Sequence, residues 1–124
     1  MNEQNRYSVS VVIPTLGRSS LFRAVSSVQA QTHGPEEIIV VTDEPTLELD
    51  LSTKLGPGVR VMSTLGHQGG GVARNLGASH ATSDYIAFLD DDDFWEPEKL
   101  QRQLSQLAED GTRWGFTQST FVTR

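Results

Sequence analysis

The feature that most constrains the fold is a regular alternation of short apolar runs with segments of helical periodicity. The apolar runs are VSVVI, EIIVV, VRVM and YIAFL, at residues 9–13, 37–41, 59–62 and 85–89. They are apolar at nearly every position, which is typical of parallel strands that are covered on both faces. Strands that alternate with helices in this way predict an α/β fold, with Rossmann-like alternating β-α units and a mostly parallel sheet.

Helical periodicity connects and follows these strands. Apolar side chains recur on one helical face at Leu21, Val25 and Val28 after the first run, and at Leu100, Leu104 and Leu107 after the fourth. We also predict helices at 46–55 and 72–81, and the beginning of a fifth strand within 113–122. A chain of 124 residues fits a single domain over 1–124, large enough to bury one core.

An unusual stretch follows each of the four strands. These stretches are Pro14-Thr15, Asp43, the glycine-rich segment 66–71 and the aspartates 90–93. Because parallel β-α-β crossovers are almost always right-handed, the carboxyl ends of the strands open on one edge of the sheet. Ligands of open α/β sheets bind at that edge. We therefore expect the four stretches to line one ligand site.

The charge and composition of the chain narrow the possible partners. A formal net charge of −6 argues against nucleic acid, since phosphate backbones require clustered lysine and arginine. The absence of cysteine excludes disulfides and thiolate metal sites. No apolar run reaches the roughly 20 residues of a membrane helix. The polar beginning MNEQNRYS has no apolar stretch of the kind found in signal peptides, so we expect no entry into the secretory route. We expect no membrane segment in this chain and a cytoplasmic location. The alternative is the cytoplasmic face of a membrane, reached through further parts of the protein.

Four consecutive aspartates at 90–93 directly follow the fourth apolar run. Capping of the next helix would need one or two of them, and the others would repel one another. A divalent cation resolves this repulsion, because Mg²⁺ and Mn²⁺ bind carboxylate oxygens and keep positions open for substrate phosphates. We therefore favour a metal site over a structural cap. Trp95, close behind the aspartates, is expected to pack in the core and to form a wall of the site.

The glycine-rich stretch GHQGGGVARN, at 66–75, leads into the predicted helix at 72–81. Glycines let backbone N–H groups approach an anion at a helix N-terminus, and Arg74 adds a fork of donors for phosphate. The dinucleotide fingerprint G-x-G-x-x-G fails here, because its last position, counted from Gly69, is Arg74. A flexible loop with a solvated arginine is the alternative.

Other polar residues at this edge have two interpretations each. Asp43 either accepts a hydrogen bond from a base or ribose, or caps the next helix near Pro45. Thr15 is either a ligand contact or a turn residue. His67 and His80 are interpreted as surface residues, since no second nitrogen ligand stands at a workable spacing.

Four segments, taken together, resemble the family 2 glycosyltransferases. They are VSVVIPTLGR, EIIVVTDE, GGGVARNLG and YIAFLDDDDFWEPEKL, in the order and approximate spacing of that family. The resemblance runs from about Val9 to Leu107, and the strand followed by aspartates is its most specific element. It implies the GT-A fold, with this chain as the N-terminal, nucleotide-sugar-binding portion of a longer enzyme.

The resemblance implies a nucleotide site along the edge of the sheet. The backbone around Pro14 and Thr15 would contact the base or ribose of a nucleotide-diphosphate sugar, and Asp43 would contact the base. Arg74 would lie near the nucleotide or its diphosphate.

The resemblance also implies a metal site at the aspartates, as the family's D-x-D-type motif. Asp92 would ligate Mn²⁺ or Mg²⁺ directly, and Asp90 or Asp91 would reach the ribose or, through water, the ion. The implied reaction transfers the sugar with inversion at its anomeric carbon to an acceptor, which is a saccharide, a lipid-linked molecule or a small molecule. The metal would stabilise the departing diphosphate. An Asp or Glu would deprotonate the acceptor hydroxyl, and no residue of this chain is assigned to that role.

Two departures from the family pattern leave other functions open. TDEP at 42–45 replaces two acids followed by glycine and serine, and the chain ends at Arg124, before the acceptor-binding half. A non-catalytic nucleotide-binding module is therefore an alternative. A Mg²⁺-dependent phosphotransfer domain is a weaker alternative. Such domains have a nucleophilic aspartate on an earlier strand, where this chain has Pro14-Thr15, and a lysine on a later strand. The last lysine of this chain is Lys99.

Overall fold

The computed structural model of the chain describes residues 7–110, 115–116 and 120–123, with side chains for residues 7–107. The strands are β1 (Val9–Thr15), β2 (Glu37–Thr42), β3 (Arg60–Ser63), β4 (Tyr85–Phe88), β5 (Gly115–Phe116) and β6 (Thr120–Thr123). The helices are α1 (Ser20–Gln29), α2 (Glu48–Leu55), α3 (Gly70–His80) and α4 (Lys99–Asp110), with a short 3-10 helix at Pro45–Leu47.

The described strands form one sheet in the order β3-β2-β1-β4-β6-β5. Strands β1 to β4 are parallel, and the central β1 pairs with β2 and β4, so that Ile13 lies beside Val40 and Val12 beside Phe88. Strand β6 runs antiparallel to β4, and β5 runs antiparallel to β6. The predicted α/β fold with a mostly parallel sheet is confirmed. The stretch in which we predicted the beginning of a fifth strand contains β5 and the beginning of β6.

Helices cover both faces of the sheet, which explains why β1 and β2 are apolar at nearly every position. Helices α1, α2 and α4 pack on one face, through Leu21, Val25, Val28, Leu51, Leu100, Leu104 and Leu107. Helix α3 packs on the opposite face, where Ala73 and Leu76 belong to one cluster with Val12 and Val41. The apolar positions predicted for the first and last helices are therefore buried, as expected.

Helix α3 approaches the sheet closely at Gly77. A Cβ atom at this position would lie 2.5 Å from Cγ1 of Val12 and 3.1 Å from Cγ2 of Val41. Real Cβ atoms do not pack at 2.5 Å, so the position requires glycine. This contact sets the distance of α3 from the centre of the sheet.

The helices differ from the predicted ones mainly at their beginnings. The helix predicted at 46–55 begins at Glu48, after the 3-10 helix, and the helix predicted at 72–81 begins two residues early, at Gly70. Apolar periodicity does not distinguish a 3-10 turn, in which Leu47 packs against the core, from the first turn of an α-helix. It also misses the first two residues of α3, because glycines have no side chain to bury. Within the described part of the chain, no helix has the length and apolarity needed to cross a bilayer.

Candidate functional site

The segments that follow the four parallel strands surround an open cleft of about 350 Å³ at the carboxyl edge of the sheet. Every residue that we predicted for nucleotide or metal binding lines this cleft, namely Pro14, Thr15, Asp43, Arg74, Asp90, Asp91 and Asp92. Their convergence follows from the parallel order of the strands. What these residues bind stays a prediction.

The four consecutive aspartates make four different sets of contacts. The chain turns at this point, with a 3.1 Å hydrogen bond from the Asp93 N–H to the Asp90 carbonyl oxygen. The side chains of Asp90 and Asp92 are 62% and 59% exposed, whereas that of Asp91 is 3% exposed. Asp93 does not line the cleft, and its Oδ1 accepts the N–H of Phe94 at 2.8 Å. Divergence of the side chains thus reduces the repulsion that the sequence suggests.

Asp91 is held inside the fold through both of its carboxylate oxygens. Its Oδ2 accepts the Thr15 hydroxyl at 2.7 Å, and its Oδ1 contacts Nη2 of Arg18 at 2.9 Å. The hydroxyl oxygen of Thr15 also accepts the N–H of Gly17 at 2.9 Å, where a φ of 88° favours glycine. Asp91 therefore ties the segment after β4 to the turn after β1.

Two arginines bring positive charge to the aspartates. Nη2 of Arg74 lies 2.9 Å from Oδ1 of Asp90, and Nη1 of Arg18 lies 3.9 Å from Oδ2 of Asp92. From the sequence, we inferred that the aspartates need a divalent cation to relieve their repulsion. The structure corrects that inference in part, because guanidinium groups of the protein itself provide some of the compensating charge.

The alternative that the aspartates cap the next helix is wrong. Helix α4 begins at Lys99, and residues 94–98 separate it from Asp93. In the first turn of α4, the N–H of Leu100 donates to Oε1 of Gln31 at 3.0 Å. A side chain that follows α1 therefore satisfies a free donor at the beginning of α4.

Asp43 organises the loop before α3. Its Oδ1 accepts the Thr64 hydroxyl at 2.6 Å and the Gln68 N–H at 2.9 Å, and its Oδ2 accepts the Gly69 N–H at 2.8 Å. These hydrogen bonds, first the one from Thr64, hold the pKa of Asp43 below its ordinary value because they stabilise the ionised form. The alternative of a cap near Pro45 is wrong, since the 3-10 helix there has no side-chain cap.

The N-terminus of α3 borders the cleft through two glycines. Gly69 has a φ of 94° and Gly70 is the first residue of the helix, and both line the cleft. A Cβ atom at Gly70 would lie 3.1 Å from Nη1 of Arg74. Glycine at this position thus leaves room for the Arg74 guanidinium beside the backbone.

The carboxylates of the cleft suit a metal site that a bound phosphate completes. Within the described ranges, no group of three or more His, Asp or Glu side chains could hold a metal ion by itself. Asp90 and Asp92 are nevertheless both exposed at the cleft. Magnesium is commonly held by one or two carboxylates together with waters and substrate phosphates. The residues present fit that kind of site.

Three further predictions concern residues outside the cleft. His67 and His80 are exposed, as predicted for surface histidines, and His67 lies 3.7 Å from a Glu44 oxygen. Trp95 is buried in the core, as predicted. The prediction that it also forms a wall of the site is wrong, because Trp95 lines a separate groove along α4.

Two residues of the cleft were missed at the level of sequence. Arg18 and Leu16 belong to the turn after β1 and line the cleft beside Thr15. The available signal was their position directly behind a strand end, in the run PTLGR. A single arginine in a turn is usually solvated, so only its contact with the buried Asp91 distinguishes it.

Comparison with known proteins identifies the family. The model of the glycosyl transferase family 2 matches residues 10–121. An uncharacterized glycosyltransferase of Nostoc sp. is 41% identical over 99 residues, which cover 76% of this chain and 31% of that protein. The UDP-Glc:alpha-D-GlcNAc-diphosphoundecaprenol beta-1,3-glucosyltransferase WfgD of Escherichia coli is 30% identical over 109 residues, which cover 82% of this chain and 41% of that protein.

A solved structure shows the same fold. TarS of S. aureus superimposes with a TM-score of 0.67 at 24% identity, over 82% of this chain and 32% of the TarS chain. The predicted fold class, of the GT-A type, is thereby confirmed, and the chain spans less than half the length of these relatives. The match to the family model covers nearly all of the sequence, so the chain belongs to the glycosyl transferase family 2.

Proposed function

We propose that this chain binds the donor of a metal-dependent, inverting glycosyltransferase and is the N-terminal, nucleotide-sugar-binding portion of that enzyme. A nucleoside diphosphate sugar would lie in the carboxyl-edge cleft, and its sugar would pass to an acceptor hydroxyl. Family membership supports the class of reaction. The observation that carries the proposal is the convergence of two arginines and four aspartates on one open cleft, from segments that are far apart in sequence.

The nucleoside is proposed to lie against the turn after β1. Pro14 and Leu16 offer apolar surface there, and Leu16 is 63% exposed although it is apolar. A planar base over this surface would remove apolar area from water. Asp43 borders the same cleft with an ionised carboxylate. Three hydrogen bonds use about three of the four acceptor positions of a carboxylate, so Asp43 can accept one more from a base or ribose.

The diphosphate is proposed to lie at the N-terminus of α3. The backbone N–H groups and the dipole of a helix N-terminus attract anions, and Gly69 and Gly70 let the backbone border the cleft without side chains. Arg74 adds donors on the same side. A guanidinium group is well suited to bind phosphate oxygens through two parallel hydrogen bonds.

Charge balance supports the metal dependence. Four carboxylates and two guanidinium groups line the cleft, so its formal charge is −2, and a diphosphate alone would be repelled. We propose that Asp92 and Asp90 hold Mn²⁺ or Mg²⁺ together with the diphosphate. When bound, such an ion would stabilise the negative charge that develops on the departing nucleoside diphosphate.

The acceptor hydroxyl requires a base, and we assign none of the described residues to that role. We propose that the base and the acceptor-binding surface belong to a further part of the enzyme, because the chain spans less than half the length of its relatives. A non-catalytic nucleotide-binding module is the second candidate, since the cleft would bind the same ligand without turnover. Transfer of radiolabelled sugar by a longer form of the protein would distinguish the two.

The decisive experiment is a binding screen of nucleoside diphosphates with and without Mn²⁺. UDP is tested first, because the Escherichia coli relative is named for a UDP-glucose donor, and GDP, ADP, CDP and dTDP follow. Calorimetry is expected to detect binding of one of them in the presence of Mn²⁺. At 100 times its dissociation constant, that ligand should stabilise the chain by roughly 2.7 kcal/mol, which raises the melting temperature measurably.

The variant Asp92→Asn tests the metal ligand directly. Loss of a residue that only hydrogen-bonds a metal ligand typically lowers metal affinity by roughly 10- to 100-fold. Since Asp92 is proposed to ligate the metal directly, we expect Asp92→Asn to lower the Mn²⁺-dependent affinity for the nucleotide by at least this factor. The matched control is Asp50→Asn, an exposed aspartate of α2 that pairs with Lys54. Equal affinity with and without Mn²⁺, or an unaffected Asp92→Asn variant, would contradict the proposal.

A further inference from the structure

The two arginine–aspartate pairs of the cleft differ in burial and in the contacts that hold them. Arg18 contacts Asp91, which is 3% exposed and also accepts the Thr15 hydroxyl. Arg74 contacts Asp90 at the same distance of 2.9 Å, but these two side chains are 41% and 62% exposed. The two ion pairs therefore have the same length, but Arg18 pairs with a buried carboxylate and Arg74 with an exposed one.

The environments determine how easily each pair can separate. Removal of Arg18 from Asp91 would leave a buried carboxylate without its cation, which is strongly unfavourable. An exposed pair such as Arg74 and Asp90 contributes little, because water solvates both partners when they separate. One pair is consequently fixed, and the other can be exchanged at small cost.

We propose that Arg18, held by Asp91, is a fixed binding residue for the donor diphosphate, whereas Arg74 and Asp90 form an exchangeable pair that couples diphosphate binding to metal binding. This inference rests on the proposed function. The guanidinium of Arg18 is 62% exposed and lines the cleft, so it keeps N–H donors for a ligand while Asp91 holds it.

The coupling follows from the shared partners. A diphosphate that binds Arg74 leaves Asp90 free to ligate a cation, and a cation that binds Asp90 leaves Arg74 free to bind the diphosphate. Each ligand therefore increases the affinity for the other by the same factor, as thermodynamic linkage requires. Without the other ligand, each must first compete with the internal ion pair.

The variant Arg74→Gln tests the exchange. Mn²⁺ is titrated into the chain without nucleotide, and free Mn²⁺ is followed by electron paramagnetic resonance. Because Asp90 is then unpaired, we expect the variant to bind Mn²⁺ alone about two- to fivefold more tightly than wild type, the range for an exposed ion pair. We expect it to bind the Mn²⁺-dependent nucleoside diphosphate of the screen more weakly. Arg102→Gln, which removes an exposed arginine of α4, controls for the change in net charge.

Two variants test the fixed pair. Arg18→Gln is expected to lower the melting temperature by at least about 5 °C, because the buried Asp91 carboxylate loses its positively charged partner. Arg74→Gln should leave the melting temperature nearly unchanged, since its ion pair is exposed. Arg18→Lys keeps the charge and is expected to fold. It should lose about tenfold in nucleotide affinity, since an ammonium cannot bridge Asp91 and a phosphate as a guanidinium does.

The outcomes separate this inference from the proposed function. If wild type binds a nucleoside diphosphate with Mn²⁺ but Arg74→Gln binds Mn²⁺ alone no more tightly, the exchange is overturned and the proposed function stands. If Arg18→Lys binds the nucleotide as wild type does, the assignment of Arg18 is overturned. If wild type binds none of the diphosphates, the proposed function fails, and the inference fails with it.

Discussion

The two ends of β2 each carry an acidic residue that accepts three hydrogen bonds, with different consequences. Glu37 begins the strand, and its Oε2 accepts the Ser10 hydroxyl at 2.6 Å, the Thr82 N–H at 2.7 Å and the Thr82 hydroxyl at 3.0 Å. Asp43 follows the strand and accepts three donors from the loop before α3. The chemistry of the two anchors is the same, but of the two only Asp43 lines the cleft at the carboxyl edge.

The amino end of the sheet is closed by polar side chains. The hydroxyl oxygen of Ser10 also lies 2.8 Å from that of Ser83, from which it can accept a hydrogen bond, and both serines are buried. Burial by itself would raise the pKa of Glu37, but the hydrogen bonds from Ser10 and Thr82, with the charge of Arg60, outweigh it and lower the pKa. The donors around Glu37 are thus used within the fold, and this end serves stability.

The carboxyl end keeps part of its polar groups exposed. Asp43 fixes the loop before α3, and Asp91 fixes the turn after β1. Asp90, Asp92 and Arg74 remain partly or largely exposed. The buried Asp91 and the partly exposed Asp43 therefore hold these segments in place while neighbouring charges stay available, which is the arrangement that a binding site needs.

Gly77→Ala is expected to have the largest effect of these substitutions, because it should lower both the stability of the fold and the affinity for nucleotide. Helix α3 packs along the sheet between its amino and carboxyl ends, and its N-terminus borders the cleft. The added methyl would lie 2.5 Å from the stiff side chain of Val12, and such overpacking costs about 2 kcal/mol. Displacement of α3 should also weaken nucleotide binding at the cleft. Urea denaturation and calorimetry would measure both effects.

Gly71→Ala is the matched control for this substitution. Gly71 lies in the same helix, and a Cβ atom there would meet nothing within 4 Å. This control should retain the stability of wild type or exceed it slightly, because alanine favours helix over glycine. A Gly77→Ala variant as stable as the control would refute the close packing of α3.

Glu37→Ala should affect stability alone. Loss of the carboxylate leaves the buried Ser10 hydroxyl without this acceptor, which costs about 1–2 kcal/mol. Nucleotide affinity should not change, because Glu37 lies at the opposite end of the sheet from the cleft. The control is Glu36→Ala at the exposed neighbouring position. A loss of nucleotide affinity in Glu37→Ala would remove the distinction between the two ends.

Asp43→Ala should show the opposite pattern. Without the carboxylate, the loop before α3 would sample several conformations. A binding conformation that is populated about a tenth of the time raises the apparent Kd for the nucleotide about tenfold. The melting temperature should fall less than in Glu37→Ala, because the loop is exposed. Asp50→Ala on α2 is the control for loss of an exposed carboxylate. Unchanged affinity in Asp43→Ala would show that this loop does not position the ligand.

Much of the fold could be predicted because its signals are local. Continuous apolar runs identified β1, β2 and β4 to within a few residues, and apolar periodicity identified α1 and α4. The edge at which Pro14, Asp43 and the aspartates meet followed from the parallel direction of the strands, which brings their carboxyl ends together. The predicted beginning of α2 included part of a 3-10 turn, which apolar periodicity does not distinguish from an α-helical turn, and that of α3 missed two glycines, which have no side chain to bury.

Partnerships within the site could not be predicted in the same way. Nothing in the run of four aspartates distinguishes Asp91, which is buried against Thr15 and Arg18, from its exposed neighbours. One of two interpretations made Asp43 the cap of a nearby helix, but its partners come from the loop 64–69, and its predicted contact with a nucleotide stays a prediction. Arg18 was overlooked because a turn arginine acquires a role only through a side chain more than 70 positions away.

Local chemistry in the order of residues thus establishes the class of fold, the positions of its main elements and the edge at which unusual residues gather. Three-dimensional packing assigns each charged side chain its partner, its exposure and therefore its freedom to bind a ligand. The physical reason is range. Backbone preference and apolar periodicity act over a few neighbouring residues, whereas ion pairing and desolvation depend on groups that meet only after the sheet has formed.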